Sequence, residues 1–268
     1  SEDVGGVEDI LNPPSPADMP LFDATVINTT SRVLVIDRNS RKPEVFRNFD
    51  FQGFSAVNQG VSDGQRFYVA TSLNLYYAVK LQPAVNIWQR SIDGQIIKAP
   101  IERWGNYLYI GTLDGTLRCA LASDVPTRGW DLPLESAISN EFVVDDRGVF
   151  VAVDSGSIHG VNRENGSKLW DPVQTKGRFN SPIQVTGMSV IQHAVGDALY
   201  AINIANGEIR WRMPDGRKVL ADINGELYLL DDKNDLLIVN EISGEVRKTI
   251  PLTKGRRLFP PNVQGESI

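Results

Sequence analysis

One residue type recurs at a nearly fixed step, and that spacing constrains the fold more than any other feature of the chain. Four of the five tryptophans, Trp88, Trp130, Trp170 and Trp211, fall on a single frame that starts at Phe46 and ends at Lys248. The successive steps are 42, 42, 40, 41 and 37 residues. Self-similarity with a period of about 20 to 50 residues marks a propeller, a solenoid or another array of small units. The unit is plainest where residues 157–170 align with residues 198–211: an alternating strand, an Asn-Gly turn (Asn165-Gly166, Asn206-Gly207) and a second strand ending in Trp.

The rest of each copy is strand-like as well. Residues 107–112 and 116–121 read as a hairpin, rich in aromatic and aliphatic side chains and separated by an Asp-Gly turn. Asn165-Gly166, Asn206-Gly207 and Ser243-Gly244 place residues tolerant of positive φ where the chain must turn tightly. A further strand precedes each hairpin: residues 99–105, 181–187 and 259–265 share a Pro near their start and a Gly at their end. The unit therefore has four strands. A lone sheet of this kind exposes two faces and two edges, so its copies must stack around an axis.

The expected fold is an all-β propeller of four-stranded blades. Six blades result if the strand at 259–265 completes a blade whose other three strands are residues 22–28, 32–37 and 44–49. The alternative is seven, because Ser15-Pro16 also resembles the start of an innermost strand. Residues 1–14, acidic and then Pro-rich, read as a tail, and 15–268 as a single domain.

The motif of an Asn, a turn with Gly, and a Trp four residues beyond that Gly is similar to the PQQ-like propeller repeat. It is carried by Asn162, Gly166 and Trp170, by Asn203, Gly207 and Trp211, and more loosely by Asn240 and Gly244. The resemblance spans about residues 20–265 and implies that Phe46, Trp88, Trp130, Trp170 and Trp211 are structural, packed between neighbouring blades. One branch of the family, the quinoprotein dehydrogenases, is eight-bladed, longer, and holds pyrroloquinoline quinone and calcium, commonly beside a disulfide. With one cysteine, Cys119, and no recognisable acidic ligand set, the chain departs from that branch. The other branch resembles the BamB-type envelope lipoproteins, which bind protein partners and no quinone; those too have more blades.

Charge narrows the partners. A formal net charge of -6 disfavours general affinity for nucleic acid or anionic membrane. No run approaches the roughly 20 apolar residues that cross a bilayer. The start at Ser1, without Met, leads us to expect an upstream signal or lipoprotein peptide removed from the chain.

Cys119, inside an apolar strand, reads as inert packing. His159 and His193 lie in strands of neighbouring copies with no third ligand spaced to suggest a metal site. Asp145-Asp146 and Asp231-Asp232 are adjacent strand-end residues that point to opposite faces, so they read as turn formers and not as an acid and base pair. No catalytic residue, cofactor or metal ligand is assigned.

Two surfaces are candidates. Polar residues of the innermost strands, Asn58, Lys98, Asn140, Asn180, Asp222 and Arg256, would line a central channel. Exposed loop aromatics, Trp104, Phe54 and Phe259, with Tyr76 as a further contributor, would contact a partner. The expected function is a non-enzymatic periplasmic or cell-surface scaffold that binds another protein of the cell envelope through one face of the propeller. The alternatives are small-molecule or glycan binding in the central funnel and, further off, a quinone-dependent dehydrogenase.

Overall fold

The computed structural model describes residues 24–37, 45–50, 53–81, 84–125 and 127–252. The chain forms two compact units, Ser1–Ser139 and Asn140–Ile268. Both consist of antiparallel sheets whose strands pair in sequence order.

The first unit holds a three-stranded sheet, β1 (Ala24–Asn28), β2 (Arg32–Asp37) and β3 (Val45–Asp50), and two four-stranded ones. These are β4 (Val61–Ser62), β5 (Arg66–Ala70), β6 (Leu75–Leu81) and β7 (Ala84–Ser91), then β8 (Glu102–Trp104), β9 (Tyr107–Gly111), β10 (Thr116–Leu121) and β11 (Thr127–Pro133). In β5, Phe67 and Val69 pack with Val26 and Val33 of the three-stranded sheet, while Tyr68 and Ala70 pack with Leu108 and Ile110 of the third sheet. Alternate side chains of one strand thus serve two neighbours, which is why the central strands are apolar on both faces.

The second unit repeats the plan three times. Its sheets are β12 (Val143–Val144), β13 (Val149–Ala152), β14 (Ser157–Val161) and β15 (Val173–Gln174); β16 (Gln184–Val185), β17 (Ser189–Ala194), β18 (Ala198–Asn203) and β19 (Ile209–Met213); and β20 (Gly216–Ile223), β21 (Glu226–Asp231), β22 (Leu236–Asn240) and β23 (Val246–Ile250). Phe150 and Ile158 share one core with Trp170, Val190, Tyr200 and Ile202; Ile191, Leu199 and Ala201 share the next with Trp211, Leu227 and Leu229.

These sheets are the blades of a β-propeller. The three N-terminal strands fall where the sequence places them, and among the described residues their sheet has one strand fewer than the others. The expected tail at 1–14, the Ser15-Pro16 alternative and the strand at 259–265 lie outside the described residues, so six blades and a single 15–268 domain are carried forward as proposals.

The recurring Trp is fixed by the copy that follows it. The indole N–H of Trp88 donates to the Ser123 carbonyl at 2.9 Å, that of Trp170 to Ile204 at 3.2 Å and that of Trp211 to Glu241 at 2.8 Å. A Cβ on Gly207 would lie 2.7 Å from the Trp170 ring, and one on Gly244 2.6 Å from Trp211. Both glycines have φ above +70°, so each turn needs Gly twice over: for its backbone and to seat the preceding copy's ring. Asn162, Asn203 and Asn240 complete these turns, their Oδ1 accepting the N–H of Glu164, Ala205 and Ile242. Trp170 itself lies before β15 and not in a strand, a departure from the expected strand ending in Trp. Trp130 is in β11 with its ring 6.1 Å from Tyr109, and Lys248 is exposed in β23. Phe46 is in β3; its side chain is outside the described ones.

Candidate functional surfaces

Hairpin registers make the copies comparable residue by residue. Ser62↔Phe67, Arg103↔Leu108, Val144↔Val149, Val185↔Val190 and Asp222↔Leu227 are equivalent pairs, each one step from the turn between a copy's first two strands. The next pair outward differs from copy to copy. In β4–β5 it is Asp63 and Arg66, joined by an ion pair at 2.8 Å, with Arg66 also reaching Asp124 after β10 at 3.0 Å. In β16–β17 it is Thr186 and Ser189, both buried, the threonine hydroxyl donating to the buried Glu241 carboxylate at 2.5 Å. In β8–β9 it is Trp104 and Tyr107, which face each other across the hairpin and are 37% and 47% exposed.

Trp104 closes β8, and the chain turns at Gly105, whose φ is +57°. Arg103 holds that turn by donating to the Gly105 carbonyl at 2.7 Å. Val125, in the loop after β10, is 69% exposed. Tyr107, Leu121 and Thr127 form one cross-strand row at this end of the third sheet.

The other loop aromatics are placed differently. Tyr76 is buried, edge-on to Trp88 at 5.5 Å, which corrects the expectation of an exposed contributor: its register puts it on the face that receives the tryptophan. Phe54 is half-buried and stacked on Tyr77 at 5.0 Å, part of the first unit's core. Phe259 lies outside the described residues.

Of the polar inner-edge candidates in the first unit, Asn58 donates its side-chain amide to the Lys98 carbonyl and accepts at its own carbonyl from Asn28 at 3.1 Å. In the second unit Asn140 donates to the Phe179 carbonyl at 3.5 Å, and Asn180 is exposed. Asp222 is misplaced by the sequence frame. Its register equates it with Val185, at the hairpin end of β20, where it accepts the Gly187 N–H at 2.7 Å. The residue equivalent to Lys98 and Asn180, which lie five residues before Arg103 and Val185, is Arg217, five before Asp222; a frame counted from the repeat Trp misses it, because ten residues separate Trp88 from Lys98 and Trp170 from Asn180 but six separate Trp211 from Arg217. Arg256 lies outside the described residues.

Arg217 donates to His193 Nε2 at 2.8 Å. Burial, then the Arg217 charge, holds His193 below its ordinary pKa. Burial pushes the Cys119 thiol up to about 11, so it stays protonated at neutral pH. Asp145 and Asp231 cap turns: Asp145 accepts the Arg147 N–H at 2.8 Å, and Asp231 those of Lys233 and Asp235 at 2.9 and 2.7 Å. Arg118, buried, is clamped by Asp131 through two bonds of 2.8 and 2.7 Å, a structural ion pair. Among the described residues no three His, Cys, Asp or Glu side chains are grouped to hold a metal ion, and no helix is long and apolar enough to cross a membrane.

A family model described as outer membrane protein assembly factor BamB matches residues 114–259, more than half of the chain. The chain belongs to that family. A BamB family relative from Yersinia pestis, an outer membrane protein assembly factor, is 27% identical over 219 residues, 74% of this chain and 54% of that protein. The chain spans about half the length of the curated relatives it matches. Among solved structures, BamB from Moraxella catarrhalis superposes with a TM-score of 0.68 over 85% of this chain and 70% of that one, at 17% identity. Saccharomyces cerevisiae Sqt1 superposes with a TM-score of 0.67 over 87% and 73%, at 12% identity. At these identities the two superpositions establish the propeller fold alone.

Proposed function

We propose that the chain is a non-enzymatic scaffold of the bacterial cell envelope, periplasmic or at the cell surface, that binds a partner protein through the end of the propeller bearing the β8–β9 hairpin. The observation that carries this is the Trp104–Tyr107 pair. Two other copies carry an ion pair or buried hydroxyl groups at the equivalent positions; this copy exposes two aromatics, the residue types that dominate protein-binding hot spots. Membership of a family described by outer membrane protein assembly supports an envelope protein as the partner. The inner-edge residues Asn58 and Lys98 in the first unit, and Asn140 and Asn180 in the second, are further polar candidates, each within its own unit.

The test is photocrosslinking in the producing bacterium, with a benzophenone amino acid at Tyr107 and, as control, at Val246 of β23. A discrete crosslinked protein at Tyr107, absent at Val246 and lost on Trp104→Ala, is the expected result. Equal labelling at both positions, or none at Tyr107, overturns the assignment.

A further inference from the structure

His193 and Arg217 meet in an arrangement that is unusual for this chain. The guanidinium can only donate, so at 2.8 Å the imidazole Nε2 must accept; the ring is then neutral with its proton on Nδ1. Six other arginines, Arg66, Arg118, Arg128, Arg147, Arg212 and Arg247, pair with carboxylates. Among the described residues Arg217 has no carboxylate partner, although the chain carries a net charge of -6.

The surroundings carry both signs: the turn before β20 brings the exposed Asp215, and β21 brings the buried Asp231 opposite Gly216, its carboxylate taken up by the Lys233 and Asp235 N–H groups. On β18 the residue opposite His193 is Leu199, and Tyr200 pairs with Gln192 on the other face, where it bonds Asp197. Asp197 is fully engaged by Tyr200, Arg212 and the Lys176 N–H. β16 brings no ionisable residue, and β20 brings Arg217 and the exposed Lys218 at its start and Asp222 at its far end, bonded to Gly187. Arg178, exposed, bridges Val195 through its backbone two residues from His193.

We propose that His193 and Arg217 form an acid-gated site for a carboxylate on an acidic peptide segment of a partner protein. When a proton from solvent occupies Nε2, the acceptor for Arg217 is gone and two positive groups stand side by side. A carboxylate placed between them accepts from both, replacing the lost bond with two charge-assisted ones. The lowered affinity of His193 for protons in the free protein is the counterpart of this arrangement: the ligand that favours the protonated ring must raise it. The scaffold reading supplies only the source of the carboxylate, and the test below uses a synthetic peptide, so the two fail separately.

The experiment measures anisotropy of fluorescein-labelled hexaglutamate with the full chain at about pH 5.5 and about pH 7.5. Binding is expected to be about fivefold tighter at the lower pH. Arg217→Gln should abolish it at both; His193→Gln, whose amide still accepts from Arg217, should remove the pH step. Histidine nitrogen NMR at the higher pH should show Nε2 unprotonated. Affinity independent of pH, a step that survives H193Q, or a proton on Nε2 overturns the proposal.

Discussion

Trp211 and Trp104 are the same residue type in the two units of one chain, one buried and one exposed. Trp211 is 9% exposed, bonded through its N–H to the Glu241 carbonyl and seated on Gly244. Trp104 stands at the end of a three-residue strand with more than a third of its surface in water. The first is explained wholly by what the next copy provides. The second stays exposed at a position where other copies carry Asp63 with Arg66 or the buried Thr186 with Ser189. In a repeat protein, function is most readily sought where one copy departs from the chemistry its siblings share at the same register.

The comparison breaks first if Trp211 proves dispensable. Trp211→Ala should cost about 3–5 kcal/mol, measured by urea unfolding, because it empties a packed site and orphans a carbonyl. Gly207→Ala is expected to cost about 1–3 kcal/mol, since the new methyl meets the Trp170 ring and the backbone is left-handed. A smaller loss at both positions would mean that the rings are not what fixes the copies. Trp104→Ala should stay within about 0.5 kcal/mol in the same assay while losing the Tyr107 crosslink; a large stability loss would make Trp104 structural after all. The smallest effect concerns pH. Because His193 is held below its ordinary value, the unfolded chain binds its proton more readily, and stability falls as pH drops through the folded pKa. His193→Gln should flatten that part of the stability profile, read from midpoints at a series of pH values.

The copies were legible because their signals are local: Asn, Gly and Trp at fixed offsets follow from one turn and one ring. The three N-terminal strands could be placed from the same frame. What the sequence left out depends on register between strands. Tyr76 looked like a loop aromatic until β6 turned it toward Trp88. Asp222 looked like an inner-edge residue because it lies eleven residues after Trp211, close to the ten that separate Trp88 from Lys98 and Trp170 from Asn180, and the shorter link before β20 concealed Arg217. The His193–Arg217 contact joins strands of two successive sheets and has no one-dimensional signature. Trp104 was singled out by being off the repeat; that Tyr107 is its cross-strand mate required the hairpin.

Strand pairing in strict sequence order has a consequence for how the chain is made. Each four-stranded sheet is completed within 30 to 35 consecutive residues, so a polypeptide emerging from a ribosome or a translocon forms its sheets one after another with short loop closures. Trp170 and Trp211, however, find their hydrogen-bond acceptors and their glycines only when the following turn has been delivered. Maturation of these two copies therefore lags their synthesis by one repeat, each holding an indole that still waits for its seat.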